Sequence, residues 1–357
     1  MKANVGDIAA HDVKDWLEGE FTLPPQGTWP ASRHRFEVHD VWAIRAALVT
    51  RRPLLLRGKP GVGKSQLARA AAVKLGVPFL SVVVDERTER DDLLLSYDSV
   101  ARLAEAQLTG AGGHKDGSAG GDKLNELNFV RPGPMWWALN WVGAKAQANA
   151  YRQDGRTCDE PAEVEGWDPI LEGAAGIMLR GPVILVDEID KADPSVPNGL
   201  LETLANDGFE VLMPSVRVGR CERVGQPLVV ITTNEERQLP AAFIRRCLVH
   251  EMSFPKEDDE AKGFLRRRAR IHHGPGEISD VVLDKVIARF MGDRQKADED
   301  GLYQPGPAEF LDLVRALVEF GKAHGGEITS EKRHAAQEEA LEQVGRFVFS
   351  KHLKEEI

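Results

Sequence analysis

The sequence predicts an α/β fold: a three-layer core with helices on both faces of a largely parallel sheet, followed by a small C-terminal helical domain. Three observations carry this. Four short apolar runs, PLLLRG (53–58), PFLSVVVD (78–85), PVILVDE (182–188) and PLVVITTN (227–234), read as strands buried on both faces. They alternate with segments of helical periodicity, the pattern of parallel strands joined by crossover helices. After Pro255 the strands stop, and four helical segments follow.

Taken in order, residues 1–36 contain Pro24, Pro25 and Pro30 and read as a short helix near 10–18 followed by an irregular arm. EVHDVWAIRAALVTRRP (37–53) places Val41, Ile44, Ala47 and Leu48 on one stripe of a helix. GKPGVGKSQLARAAAVKLG (58–76) reads as a glycine loop entering a helix that ends at Gly76. GAGGHKDGSAGGDK (110–123) has the composition of a flexible surface loop, and 143–180 reads as irregular. Helices are expected over 256–273, 279–293, 307–321 and 330–353. The expected division is an N-terminal arm (1–36), an α/β core (37–255) and a helical lid (256–357). No internal repeat is visible.

The chain of 357 residues is long enough for one large or two ordinary domains. With 42% hydrophobic and 29% charged residues it has an ordinary globular profile. A net charge of -10 argues against non-specific nucleic-acid binding. Cys158, Cys221 and Cys247 show no CxxC spacing and read as reduced structural thiols. His272–His273 reads as a surface pair rather than a metal site. The N-terminus has no apolar signal core, and no apolar run is long enough to span a bilayer, so a cytoplasmic location is expected.

GKPGVGKS (58–65) fits GxxxxGK[ST] between a predicted strand and a predicted helix. Glycines let the backbone curl so that consecutive N–H groups face one point, and the following helix adds its N-terminal donors. The residues expected to cradle phosphates are Gly58, Pro60, Gly61, Val62, Gly63, Lys64, Ser65 and Gln66. Lys64 would reach the terminal phosphates and Ser65 would offer its hydroxyl to Mg²⁺. Asp187 and Glu188 end a buried strand, where open α/β sheets bind ligands. Asp187 is the expected Mg²⁺ residue and Glu188, turned to the other side by the strand pleat, the expected base toward water. Asn234, at the next strand tip, could hold that water from the other side. Asp190 and Lys191 read as solvated or capping residues. With no NKxD motif, ATP is preferred over a guanine nucleotide.

LPAAFIRRC (239–247) sets Arg245 and Arg246 side by side before a further strand. The order of glycine loop, hhhhDE, strand-tip Asn and this arginine pair resembles the AAA+ ATPases, specifically the MoxR-like and dynein-related (midasin-like) branch. VRPGPMWWAL, VILVDEIDKADPSVPNGLLETLANDGFEV and ITTNEERQLPAAFIRRC look like that branch. The resemblance covers roughly 37–255; it extends to 256–350 only as helical content.

The resemblance implies ring-forming subunits, usually six, with nucleotide at the junction of neighbours. It places Arg246 as a finger onto the neighbour's ATP, with Arg245 as a second candidate. A local ion pair with Glu235, Glu236 or Glu251 is the plainer alternative. It also implies chaperone-like remodelling of a partner protein, often one with a von Willebrand A domain. Alternatives are a nucleotide-dependent switch of a bacterial defence system and a DNA-associated motor of restriction type. The family's further lid arginine is missing: Ala308 and Glu309 occupy its positions, leaving Arg294 or Arg245 as substitutes. Arg87 and Thr88 are candidate contacts of the catalytic glutamate or the pore. Trp136, Trp137 and Trp141 cannot share one helical face, so at least one is expected at an interface unless all fill the core. RRRAR (266–270) reads as a solvated or subunit-facing run.

Overall fold

A computed structural model describes residues 11–111, 124–152, 155–168, 181–211, 216–220, 225–322 and 329–349. The chain forms two compact units. One comprises Met1–Glu18, Phe36–Arg57 and Ser65–His250; the other comprises Gly19–Arg35, Gly58–Lys64 and Glu251–Ile357.

The first unit is built on a five-stranded sheet. Its strands are β3 (Leu54–Arg57), β4 (Phe79–Val83), β7 (Val183–Asp187), β10 (Leu228–Thr233) and β11 (Leu248–Glu251), in the order β11-β3-β10-β7-β4. Strands β3, β10, β7 and β4 run parallel, with Ile231 opposite both Leu55 and Val186, and Asp187 opposite Val83. All six residues of β10 are buried, as are the apolar residues of β3 and β7, because helices cover both faces. The parallel arrangement therefore brings the C-terminal ends of β3, β7 and β10 to one side. The fifth strand is the one that follows Arg246. One expectation fails at β4: its first two residues are buried, but Ser81 and Val83 are exposed, because β4 is an edge strand.

Helices α2 (Val38–Thr50), α3 (Lys64–Leu75), α4 (Arg90–Leu94) and α5 (Ser99–Ala111) lie before the central strands β7 and β10 in sequence, and α8 (Ser195–Ala205) lies between those two. Two short antiparallel pairs complete this unit: β5 (Leu95–Tyr97) with β6 (Val130–Pro132), and β8 (Gly208–Val211) with β9 (Val216–Gly219). The stretch read as irregular from 143 begins inside a helix. Helices α6 (Pro134–Leu139) and α7 (Trp141–Arg152) are separated by Asn140, whose side chain accepts a bond from Gly143 N (2.9 Å). That break redirects the chain, so the periodicity argument about the tryptophans does not apply. Trp136, Trp137 and Trp141 are all buried, and Trp137, Trp141 and Trp167 pack edge to face at 5.1 and 4.8 Å. They fill the core of this unit.

In the N-terminal segment, α1 (His11–Leu17) appears near its expected place, and Trp16 packs on Phe36 at 4.9 Å. The stretch after it is not irregular throughout: β1 (Phe21–Leu23) and β2 (Ser32–His34) pair antiparallel.

The second unit holds α10 (Asp258–His272), α11 (Asp280–Glu299), α12 (Pro307–Phe320) and α13 (Ser330–Phe349). Leu265, Val286, Phe290, Phe310, Leu313 and Leu317 form its core, with Phe254–Phe290 and Phe290–Phe310 centroids 6.0 and 5.5 Å apart. Ser279 caps α11 through Val282 N (3.2 Å). His272 and His273 are half-buried rather than at the surface, and burial pulls the pKa of the His272 imidazole down to about 4. Cys158 and Cys247 are free thiols; burial pushes Cys247 up to about 12, which makes it unreactive. Cys221, most of the 110–123 loop and residues 169–180 lie outside the described residues. Among the described residues no helix is long and apolar enough to cross a membrane.

Candidate nucleotide site

The carboxylate end of the central strands is a hydrogen-bonded chain of side chains. Ser65, in the first turn of α3, donates its hydroxyl to the Asp187 carboxylate, with Oδ1 at 3.0 Å and Oδ2 at 2.9 Å. Thr232, buried on β10, also donates to Asp187 Oδ1 and accepts from Glu188 N at 2.9 Å. Asp187 is thus held between α3 and β10.

Strand β7 ends at Asp187, and Glu188 turns into the left-handed region with φ 60°. A non-glycine residue there is uncommon and costs about 1–3 kcal/mol when it persists. This turn, rather than the strand pleat, gives Glu188 its own direction. Its Oε1 accepts from Asn234 Nδ2 (3.0 Å) and its Oε2 from Lys191 Nζ (2.8 Å). The hydrogen bond to Glu188 is the largest cause holding the Lys191 ammonium above its usual pKa. A carboxylate has about four lone-pair sites, so both contacts leave room for a further donor.

Of the two readings of Asp190, solvated or capping, the second holds: it is buried, and its carboxylate accepts from the backbone N of Asn234 (3.3 Å) and Glu236 (2.9 Å). It thereby fixes the turn that carries Asn234. Lys191 is not a bystander, since it pairs with Glu188. Thr232 and Lys191 are the residues that the sequence reading missed. The TT preceding Asn234 was a signal for the first, because a hydroxyl at a strand end beside an Asp strand can reach it. Lys191, three residues after Glu188, was legible as an i,i+3 pair once a helical turn follows the strand.

The loop Gly58–Lys64 follows β3 and continues directly into α3. Gly58, Gly61 and Gly63 have φ of 146°, 79° and 103°, conformations that side-chain-bearing residues rarely adopt. A Cβ on Gly58 would lie 2.1 Å from the Met252 carbonyl oxygen. Val62 is buried, while Pro60 and Gly61 are exposed and Gln66 is half-buried. Lys64 is buried and donates to Gly58 O (2.5 Å) and Lys59 O (3.0 Å). A curled glycine loop with an inward lysine suits an oxyanion, and Ser65 with Asp187 offers the hard oxygens that Mg²⁺ accepts together with phosphate. Among the described residues no cluster of three or more His, Cys, Asp or Glu could hold a metal.

Gly58→Ala should lower the unfolding free energy by about 3 kcal/mol or more. Gly76→Ala, at φ 65° with nothing within 4 Å of its Cβ position, should cost only about 1 kcal/mol. Urea titration of both variants checks the contrast.

Arg245 and Arg246 end α9 (Ala241–Arg246), and both are exposed. Among the described residues neither guanidinium forms an ion pair, so the local partners Glu235, Glu236 and Glu251 are not used. Glu235 instead pairs with Arg57 (Nε–Oε1 2.9 Å). Arg52 caps α9: its guanidinium donates to Arg246 O (3.2 Å), Cys247 O (3.0 Å) and Arg245 O. Thr88 and Arg87 close a local turn on Asp85, through Thr88 Oγ1–Asp85 Oδ1 and Arg87 N–Asp85 Oδ1, both 2.9 Å. Within the RRRAR run Arg266 and Arg267 are exposed, in line with a solvated run, while Arg266 pairs with Asp284, and Arg270 with Asp280 (2.5 Å) and Ile278 O (2.8 Å). Arg294 donates to Pro305 O (2.6 Å) and lies over the Phe254 ring at 4.6 Å.

Residues 53–247 match the family described as AAA domain (dynein-related subfamily). Among solved structures, the chain is similar to a point mutant of Thermotoga maritima RuvB. That match has 14% identity and a TM-score of 0.41, covering 86% of this chain and 68% of that one. It is also similar to a candidate ATPase of Cytophaga hutchinsonii, at 16% identity and a TM-score of 0.33, covering 85% and 78%. No curated protein matches the chain.

Proposed function

The chain belongs to the dynein-related subfamily of AAA domains, and from that premise we propose that it is an Mg²⁺-dependent ATPase of the MoxR-like kind that works in a ring. The observation that carries the reading is the bonded series Ser65–Asp187–Thr232 and Glu188–Asn234 at the ends of adjacent parallel strands. ATP is the substrate. Gly58, Pro60, Gly61, Val62, Gly63, Lys64 and Gln66 hold its phosphates; Ser65 and Asp187 hold Mg²⁺. The cation supplies neutralisation of charge that builds on the phosphate oxygens.

Glu188 takes the proton of the attacking water. Asn234 and Lys191 aim its carboxylate, and Asp190 holds the Asn234 turn in place. Arg246, with Arg245 beside it, reaches the phosphates bound by a second copy of the chain. In this reading the core is 37–255 and the lid 256–357, with 1–36 as an arm. Hydrolysis drives chaperone-like remodelling of a partner protein in the cytoplasm, a von Willebrand A domain protein being the partner class suggested by the family.

Asn234→Ala tests the geometry. It should lower kcat by about 10²-fold, the effect of misplacing a catalytic group by about 1 Å, while KM for ATP stays unchanged. An equal loss in binding and turnover would assign Asn234 to the fold instead. Steady-state phosphate release over a range of ATP concentrations separates the two.

A further inference from the structure

Strands β3 and β10 end side by side, with Arg57 opposite Thr233 in the parallel ladder. Beyond Thr233, and directly after Asn234, the chain turns at Glu235, whose φ of 62° lies in the left-handed region. A glutamate is strained there, and such a turn persists only while its surroundings hold it. Asp190 accepts from the backbone N of Asn234 and Glu236 on either side. Thr233 Oγ1 accepts from Glu235 N at 3.0 Å. Arg57 then reaches across the strand tips and donates both Nε (2.9 Å) and Nη2 to Glu235 Oε1. The side chains of this pair are 39% and 48% exposed, and an ion pair so open adds little to the stability of a fold. Its place in the site says more: Glu235 adjoins Asn234, whose Nδ2 donates to Glu188 Oε1 at 3.0 Å.

We infer that Arg57 and Glu235 are positioning residues for hydrolysis: their ion pair holds the left-handed turn that aims Asn234 at Glu188. This rests on the reading of Glu188 as the base and of Asn234 as the residue that orients it. The pair acts through Asn234 rather than on ATP. Once Arg57 no longer holds its carboxylate, Glu235 can leave its strained conformation, and the amide of Asn234 moves with it. Displacing a group that orients the reaction slows the chemical step without weakening the binding of substrate.

The test is steady-state phosphate release from Mg²⁺-ATP by the purified full chain, for Arg57→Met, Glu235→Ala and Glu235→Gln, each made in wild type and in Asn234→Ala, with thermal melting alongside. Arg57→Met and Glu235→Ala should each lower kcat by about tenfold, less than the loss of Asn234 itself, with KM for ATP unchanged. Glu235→Gln keeps an acceptor for Arg57 and should recover part of that loss. All three should melt close to wild type, as expected for an open ion pair. On the Asn234→Ala background none should lower kcat further, because changes that act through one group do not add. Wild-type kcat in both Arg57→Met and Glu235→Ala, a rise in KM with kcat unchanged, or a tenfold loss that persists in full on the Asn234→Ala background would overturn the inference. Wild-type turnover in Asn234→Ala would instead sink the reading of Asn234 on which it rests, and the inference with it.

Discussion

Glu188→Gln is expected to lower ATP turnover by about 10²–10⁴-fold, the usual contribution of a positioned general base, while ATP binding is retained. Glutamine keeps the shape and can still accept from Asn234 Nδ2, which donates to Glu188 Oε1 at 3.0 Å. It cannot take a proton from water. It also loses the charge that pairs with Lys191 at 2.8 Å, so the lysine should move without disturbing Asp187, which is held separately by Ser65 and Thr232. Phosphate release and nucleotide binding measured on one preparation give both halves of the expectation. A Glu188→Gln protein that hydrolyses ATP like wild type would move the base to another residue.

Arg246→Ala carries the second large effect. An arginine that meets transferring phosphate from outside the binding chain contributes about 10³–10⁵ in rate in related systems, and a loss of at least about 10³ is expected. The side chain is exposed and has no carboxylate partner among the described residues, while Arg52 fixes the backbone that presents it through three carbonyls. Arg245→Ala should lose less. If the contact is made to a second copy, as proposed, mixing Arg246→Ala with Lys64→Ala should restore partial activity: mixed interfaces contain one intact loop and one intact arginine. If Arg246→Ala keeps wild-type turnover, or mixing restores nothing, catalysis between neighbours is wrong.

Much of this was legible in the sequence because the signals are dense and local. The apolar runs that end in Arg57, Asp187 and Thr233 read as buried strands, and their parallel pairing gathers their tips. The glycine loop announces itself by spacing. What stayed hidden depends on single backbone events. The break at Asn140 let three tryptophans enter one core, which no fixed helical period foretells. The left-handed turn at Glu188 started a short 3₁₀ turn that delivered Lys191 to its carboxylate and buried Asp190. Thr232 was visible as a strand residue, yet its double role depends on the register that sets β10 beside β7. Position within the sheet also escaped: PFLSVVVD is as apolar as the central runs but forms an edge, with Val83 62% exposed.

The most direct measurement is phosphate release from Mg²⁺-ATP by the purified chain, wild type against Lys64→Ala. The account predicts steady turnover by the wild type and none above background in the variant, whose loop has lost its inward cation. Turnover that survives Lys64→Ala, or a wild type that neither binds nor hydrolyses ATP, would contradict it.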